Sequence, residues 1–208
     1  MDDDTHSGTA LLSALNTEHF VLQSANSTTY TEASARSALY VMALSSSLVA
    51  LGFMASSPQA LLVFALTVLP AVFLLGVFTV VRLVETALES MHLLAGIARI
   101  RAYYRTLGPE AEVQFAASYG RWPEIPSPAE QHGRMLAFMG TTASMVAVTN
   151  NVVAGAALAI AVHMLAPVTL IWVCAVLGIA AALALTALFY AYQRWRFAEV
   201  GVAGPARQ

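Results

Sequence analysis

Two long runs of uninterrupted apolar and small polar residues dominate the pattern of the chain. Positions 37–81, a run of 45 residues, and positions 135–193, a run of 59, contain no Asp, Glu, Lys or Arg. A helix crosses a bilayer core in about 20 residues, so each run has room for two crossings and a tight turn. Local punctuation supports that division. Ser56-Ser57-Pro58 splits the first run, with Ser57 suited to cap a helix and Pro58 to occupy its first turn. Leu165-Ala166-Pro167 splits the second. The pattern predicts an all-α membrane protein with four transmembrane helices in two hairpins, crossing near 37–56, 59–81, 137–164 and 168–192.

The flanking segments predict further helix. Leu11 to Arg36 lacks Gly and Pro and leads straight into the first crossing, and Arg82 to Leu107 continues from the second. Unbroken, they form an antiparallel stalk whose opposed residue numbers total about 118, placing Glu18 opposite Arg99. A competing reading bends the second helix at Gly96. It would lay Ile97, Ile100, Tyr104 and Leu107 on anionic lipid, with Arg99, Arg101 and Arg105 nearby. Gly108 to Gln131 reads as a loop, rigid at Trp122 to Pro128. Ser127, Pro128 and Glu130 then match a helix start, predicting a helix from Pro128 to Met164 about 55 Å long. The expected organisation is an N-terminal cytoplasmic helix (1–36), a first transmembrane hairpin (37–81), a cytoplasmic helix and Pro-containing loop (82–133), a second hairpin (134–193) and a cytoplasmic tail (194–208).

Composition adds that the chain, at 58% hydrophobic and 11% charged, is too apolar for a water-soluble domain of 208 residues. Charge supplies orientation. All ten basic side chains are arginines, and they lie on one side of the expected hairpins, whose opposite turns carry none. The positive-inside bias places both termini in the cytoplasm and predicts a multi-pass protein of the inner (plasma) membrane. The acidic start Met1-Asp2-Asp3-Asp4 lacks the pattern of a secretory signal, so the first crossing is the expected targeting signal. Trp172 on the outer side, and Tyr192 with Trp195 on the inner, read as interfacial anchors.

Candidate chemistry is sparse, and no cofactor or enzymatic activity is expected. Of the histidines only His163 falls in a crossing, which leaves a haem without paired ligands. Cys174 is the one cysteine and has no redox partner, and no crossing contains a carboxylate to carry protons. Nucleophile-elbow and zinc-protease patterns are missing. Glu85, Glu89 and His92 share a helical face at a spacing used by di-iron bundles. A second motif would be needed, and Glu18 and His19, being adjacent, point about 100° apart; a hydrated polar seam is expected there instead of a metal.

The third crossing concentrates polarity: Thr141, Thr142, Ser144, Thr149, Asn150 and Asn151. Asparagines near mid-bilayer require partners or water, so these residues either line an aqueous path or form interhelical hydrogen bonds. Small residues step by four alongside them, at Ala143, Ala147, Asn151, Gly155 and Ala159, and again at Cys174, Gly178, Ala182 and Thr186. Such ladders permit close helix approach within or between subunits, so a homo-oligomer is expected. Pro70 interrupts the second crossing near its middle, as a static kink or a hinge, with Thr67 placed to compensate for the lost bond.

Asn16-Thr17-Glu18-His19-Phe20-Val21-Leu22-Gln23, Glu32-Ala33-Ser34-Ala35-Arg36 and the stretch Ser45 to Gly52 resemble uncharacterised four-helix membrane proteins of high-GC actinobacteria. The resemblance is clearest over the first hairpin and implies a helical protein of the plasma membrane, without an activity or functional residues. The layout is also loosely similar to bacterial defence effectors that join a few crossings to a cytoplasmic sensing region, although no nucleotide-binding motif accompanies it. Two functions follow as expectations. One is an oligomeric channel or pore lined by the third crossing through Thr141, Ser144, Asn150 and Asn151, with His163 at its outer mouth. The alternative is a non-conducting scaffold or signalling subunit acting through the stalk residues Glu18, His19, Glu85, Glu89, His92 and Arg99. The expected partners are the lipid bilayer, further copies of the chain and a cytoplasmic protein; no nucleic acid is expected.

Overall fold

The computed structural model describes residues 2–115, 140–166 and 170–202. Among these there are five helices and no strand: α1 Asp2–Met54, α2 Pro58–Arg105, α3 Pro109–Gln114, α4 Thr142–Leu165 and α5 Ile171–Val202. Four of them, all but α3, are long and apolar enough to cross a membrane. At 1.5 Å per residue, α1 with 53 residues and α2 with 48 are each more than twice as long as a bilayer core requires.

The turn from α1 to α2 follows from its local chemistry. The Ser57 amide donates to the Met54 carbonyl at 3.0 Å, closing α1, and the Ser57 hydroxyl accepts from the Ala60 amide at 3.5 Å. Pro58 then occupies the first helical position, where its missing N–H leaves no bond unmade.

The chain divides into two compact units, and α1 and α2 contribute to both. One unit contains residues up to Glu32 together with the chain from Thr86 onward to Ala137. Here α1 buries or half-buries Leu15, His19, Leu22, Asn26 and Thr29, and α2 does so at Thr86, Ser90, Leu93, Ile97, Ile100 and Tyr104. These positions alternate in steps of four and three, the repeat by which two helices keep one seam facing each other. Asn26 lies beside Ser90, whose hydroxyl donates to the Asn26 carboxamide oxygen at 2.7 Å. Leu22 lies beside Gly96, where an added Cβ would stand 3.1 Å from a Leu22 methyl. The helices are thus antiparallel, in the register expected of the stalk.

Gly96 accordingly serves close packing and does not bend the helix. α2 runs unbroken to Arg105, and of the apolar face expected to rest on lipid Ile97 and Ile100 are buried, whereas Leu107 is exposed. Gly108, at φ 157°, supplies the backbone that carries the chain from α2 into α3. Packing of Tyr104 against Phe115, ring centroids 5.5 Å apart, and approach of Arg105 to Glu112 at 4.0 Å hold the short α3 segment to α2.

The second unit contains residues 33–85 and the chain from Phe138 onward. Its α1 seam comprises Ala33, Ser37, Tyr40, Leu44, Ser47 and Leu51, and its α2 seam Ala65, Leu69, Val72, Gly76, Thr79 and Leu83, again spaced by four and three. The expected continuous helix from Pro128 to Met164 is interrupted at residues 140–141. Gly140 and Thr141 are non-helical, and α4 begins at Thr142 because Thr141 caps it, its hydroxyl accepting from the Ser144 amide at 3.2 Å. The expected capping residues Ser127, Pro128 and Glu130, with most of the expected loop, lie outside the described residues.

α4 packs against α5 through the two small-residue ladders. A Cβ at Gly155 would strike the Gly178 carbonyl and come within 3.0 Å of Ala182, and a Cβ at Gly178 would meet the Gly155 carbonyl and Ala159. The backbones therefore approach too closely for a side chain at either glycine, and dispersion rewards that approach in a solvent that offers no hydrophobic drive between helices.

Candidate functional site

Thr141, Ser144, Asn150 and Asn151 find partners inside the second unit, whereas Thr142 and Thr149 are exposed. Thr141 and Ser144 share a hydrogen bond of 2.9 Å between their hydroxyls, and the Ser144 hydroxyl reaches the Gln193 carboxamide oxygen on α5 at 3.5 Å. Two turns further along, the Asn151 carboxamide donates to the Thr186 hydroxyl at 3.2 Å, and Thr186 donates to the Ala182 carbonyl of its own helix at 2.8 Å. Asn151 and Ser144 thus face α5, one on each side of the level of Ala147.

Asn150 turns the other way and joins three helices. Its carboxamide nitrogen donates to the Phe73 carbonyl of α2 at 3.2 Å, while its oxygen accepts from the Tyr40 hydroxyl of α1 at 3.2 Å. The carboxamide fits only because position 76 is glycine; any Cβ there would collide with Asn150. Ser144, Asn150, Asn151 and Gln193 are 1%, 2%, 6% and 1% exposed, so all four are removed from surroundings as well as bonded within the chain. The arrangement satisfies groups that would otherwise be costly in hydrocarbon.

The remaining expected site residues are placed as follows. His163 is exposed in the last turn of α4. Pro70 lies inside α2, which continues helically through it, and the Thr67 hydroxyl donates to the Val63 carbonyl at 2.7 Å, three residues before the carbonyl that Pro70 leaves without its usual donor. Glu18, Glu89, His92 and Arg99 are exposed. His19 is half-buried. The Gln23 carboxamide nitrogen lies 3.1 Å from its Nε2, and its Nδ1 is enclosed without a partner. Burial, reinforced by the positive charge of Arg101, holds the His19 pKa below the ordinary histidine value.

Glu85 serves α5. Its carboxylate accepts from Arg196 Nη2 at 2.7 and 2.9 Å and from Nε at 3.1 Å, while Arg196 Nη1 donates to Glu199 at 2.6 Å. The guanidinium also lies 5.9 Å from the ring centre of Trp195. This carboxylate–guanidinium–carboxylate cluster, which joins two helices 111 positions apart in sequence, has no local sequence signal. Charges of opposite sign in adjacent charged segments were its only trace. Among the described residues, no three His, Cys, Asp or Glu side chains come together as a metal-binding group.

Between α2, α4 and α5 lies a cavity of about 390 Å³, with Phe73, Val77 and Val81 on one wall, Leu188 and Tyr192 on another, and Ala147 between Asn150 and Asn151 at its floor. Its lining is almost wholly hydrocarbon. Comparison with protein families, with curated proteins and with solved structures found no match for the chain.

Proposed function

We propose that this chain is a non-conducting membrane subunit, a scaffold or signalling component that acts through the paired helices formed by the early part of α1 and the late part of α2. One observation carries the reading: Ser144, Asn150 and Asn151 of α4 are buried and hydrogen-bonded within a single chain. A pore lined by Ser144, Asn150 and Asn151 would need them turned toward a shared aqueous axis, and the channel expectation loses its support to that extent. The polar groups act instead as interhelical ties.

On this reading the arginine-rich side faces the cytoplasm, in the plasma membrane, and the paired helices meet their partner there. Leu11, Phe20, Val21, Tyr30, Met91 and Leu94 are exposed on those helices although they lie outside the charge-free runs, and a helical protein partner or a second copy would cover them. The test is current recorded from purified protein in planar bilayers, with the Asn150→Leu/Asn151→Leu double variant assembled equally well as comparison. Silence from both, over a range of voltage and pH, is the expected result. Reproducible currents that the double substitution alters would overturn the proposal and return α4 to the lining of a pore.

A further inference from the structure

We propose that the cavity between α2, α4 and α5 is a binding site for one phospholipid bearing a primary-amine headgroup, of the phosphatidylethanolamine class. The inference requires only that the chain spans a bilayer, and stands apart from the choice between scaffold and channel.

The cavity opens on the outer surface of the unit, because Val81 and Leu188 in its walls are 41% and 66% exposed. In a membrane that surface meets lipid, so the natural filling for a hydrocarbon-lined recess is an acyl chain. The cavity also has a direction. Its α2 wall ends at Val81 and its α5 wall at Tyr192, and one helical turn beyond each stand Glu85 and Arg196, joined to each other. Helical spacing puts this cluster on the same faces that line the cavity, at its mouth on the arginine-rich side.

The cluster matches a zwitterion. It contains one guanidinium and two carboxylates, Glu85 and Glu199, and therefore carries a net charge of −1. Arg196 Nη1 has two N–H groups and makes one bond, to Glu199, which leaves a donor for a phosphate oxygen. Both carboxylates are partly exposed, at 35% and 45% of the side chain, so an ammonium group can reach them. A headgroup that places a phosphate on Arg196 and a primary ammonium against Glu199 sets each added charge against one of opposite sign, leaving the net charge at −1, and supplies N–H donors. A choline headgroup lacks those donors, and an anionic glycerol headgroup adds repulsion. Trp195 and Tyr192, with ring centroids 6.3 Å apart, provide the amphipathic rim common at headgroup depth.

Native mass spectrometry of the full chain, released from micelles doped separately with phosphatidylethanolamine, phosphatidylcholine and phosphatidylglycerol, tests the assignment. The expected result is one tightly retained phosphatidylethanolamine, preferred over either other lipid by at least about tenfold. Val81→Trp fills the mouth of the cavity from an exposed position and should abolish retention, while Glu199→Gln should keep the lipid and erase the preference for the amine. Helix content by circular dichroism and a monodisperse elution profile check that each variant is folded. Equal retention of the three lipids by the unsubstituted protein, or unchanged retention by folded Val81→Trp, would overturn the proposal.

Discussion

Replacing Asn150 by leucine removes the junction of three helices while keeping the number and branching of side-chain heavy atoms beside Gly76. The structure assigns Asn150 two interhelical hydrogen bonds, each of 3.2 Å, to the Tyr40 hydroxyl and the Phe73 carbonyl. Interhelical bonds in membranes average about 0.6 kcal/mol and reach about 1.7, so their joint loss is expected to cost about 1–2 kcal/mol. That corresponds to a change of roughly five- to thirtyfold in the unfolding equilibrium. Reversible unfolding in bicelles, followed by steric trapping, measures it. A double-mutant cycle isolates the Tyr40 bond: Tyr40→Phe alone should cost about 0.6 kcal/mol, and the same change in the Asn150→Leu background should cost almost nothing. Strictly additive effects would refute the junction, because they would mean that the two side chains do not interact. Asn151→Leu gives an internal scale, since it breaks one bond, to Thr186, and is expected to cost less than Asn150→Leu.

Other expectations follow from packing and charge. Gly155→Val drives a branched side chain into the Gly178 carbonyl and is expected to destabilise the unit by about 1–3 kcal/mol in the same unfolding assay. His19 has a depressed pKa, so the unfolded chain takes up its proton first. The stability it contributes is present above the ordinary value of 6.5 and is lost as pH falls below it. Amide exchange in the segment around Leu22 and Asn26 should therefore quicken between pH 7.5 and pH 5.5, and His19→Gln should blunt that response. Glu85→Gln weakens the hold on Arg196, and trypsin is expected to cleave after Arg196 faster in this variant than in the parent, with the difference shrinking at high salt.

Local chemistry and exclusion of charge were readable along the sequence. The turn at Ser57 and Pro58 is set by neighbours three or four residues apart, and the four apolar helices by the two charge-free runs, so both emerge without knowledge of the fold. The seams of α1 and α2 were harder to see. Their repeat of four and three passes through Asn26, Thr29, Ser47, Gly76, Thr79, Thr86 and Ser90, and a search for apolar periodicity skips such residues. The start of α4 depended on Thr141 capping in preference to continued helix, a competition between nearby candidates that propensity alone does not resolve.

The candidate site was legible as residue types and not as partners. Polarity in the third crossing marked Ser144, Asn150 and Asn151 as residues needing hydrogen bonds, but Asn150 finds Tyr40 across 110 positions and Asn151 finds Thr186 across 35. Adjacent asparagines on a helix diverge by about 100°, which is why one turns to α1 and α2 and the other to α5. The ladder through Gly155 and Gly178 was visible by spacing alone, and the structure uses it inside one chain. Glu85 shows the opposite case: its spacing to Glu89 and His92 suggested a shared polar face, whereas its carboxylate pairs with Arg196.

Solvent access to α4 tests the central claim most directly. In a Cys174→Ala background, Ser144→Cys, Asn151→Cys and the exposed His163→Cys are each reconstituted in liposomes and treated with a membrane-impermeant thiol reagent on both faces. Burial of Ser144 and Asn151 against α5 predicts that only the cysteine at position 163 is modified at an appreciable rate. Modification at positions 144 and 151 at rates comparable to position 163 would place them on a water-filled path and contradict the account.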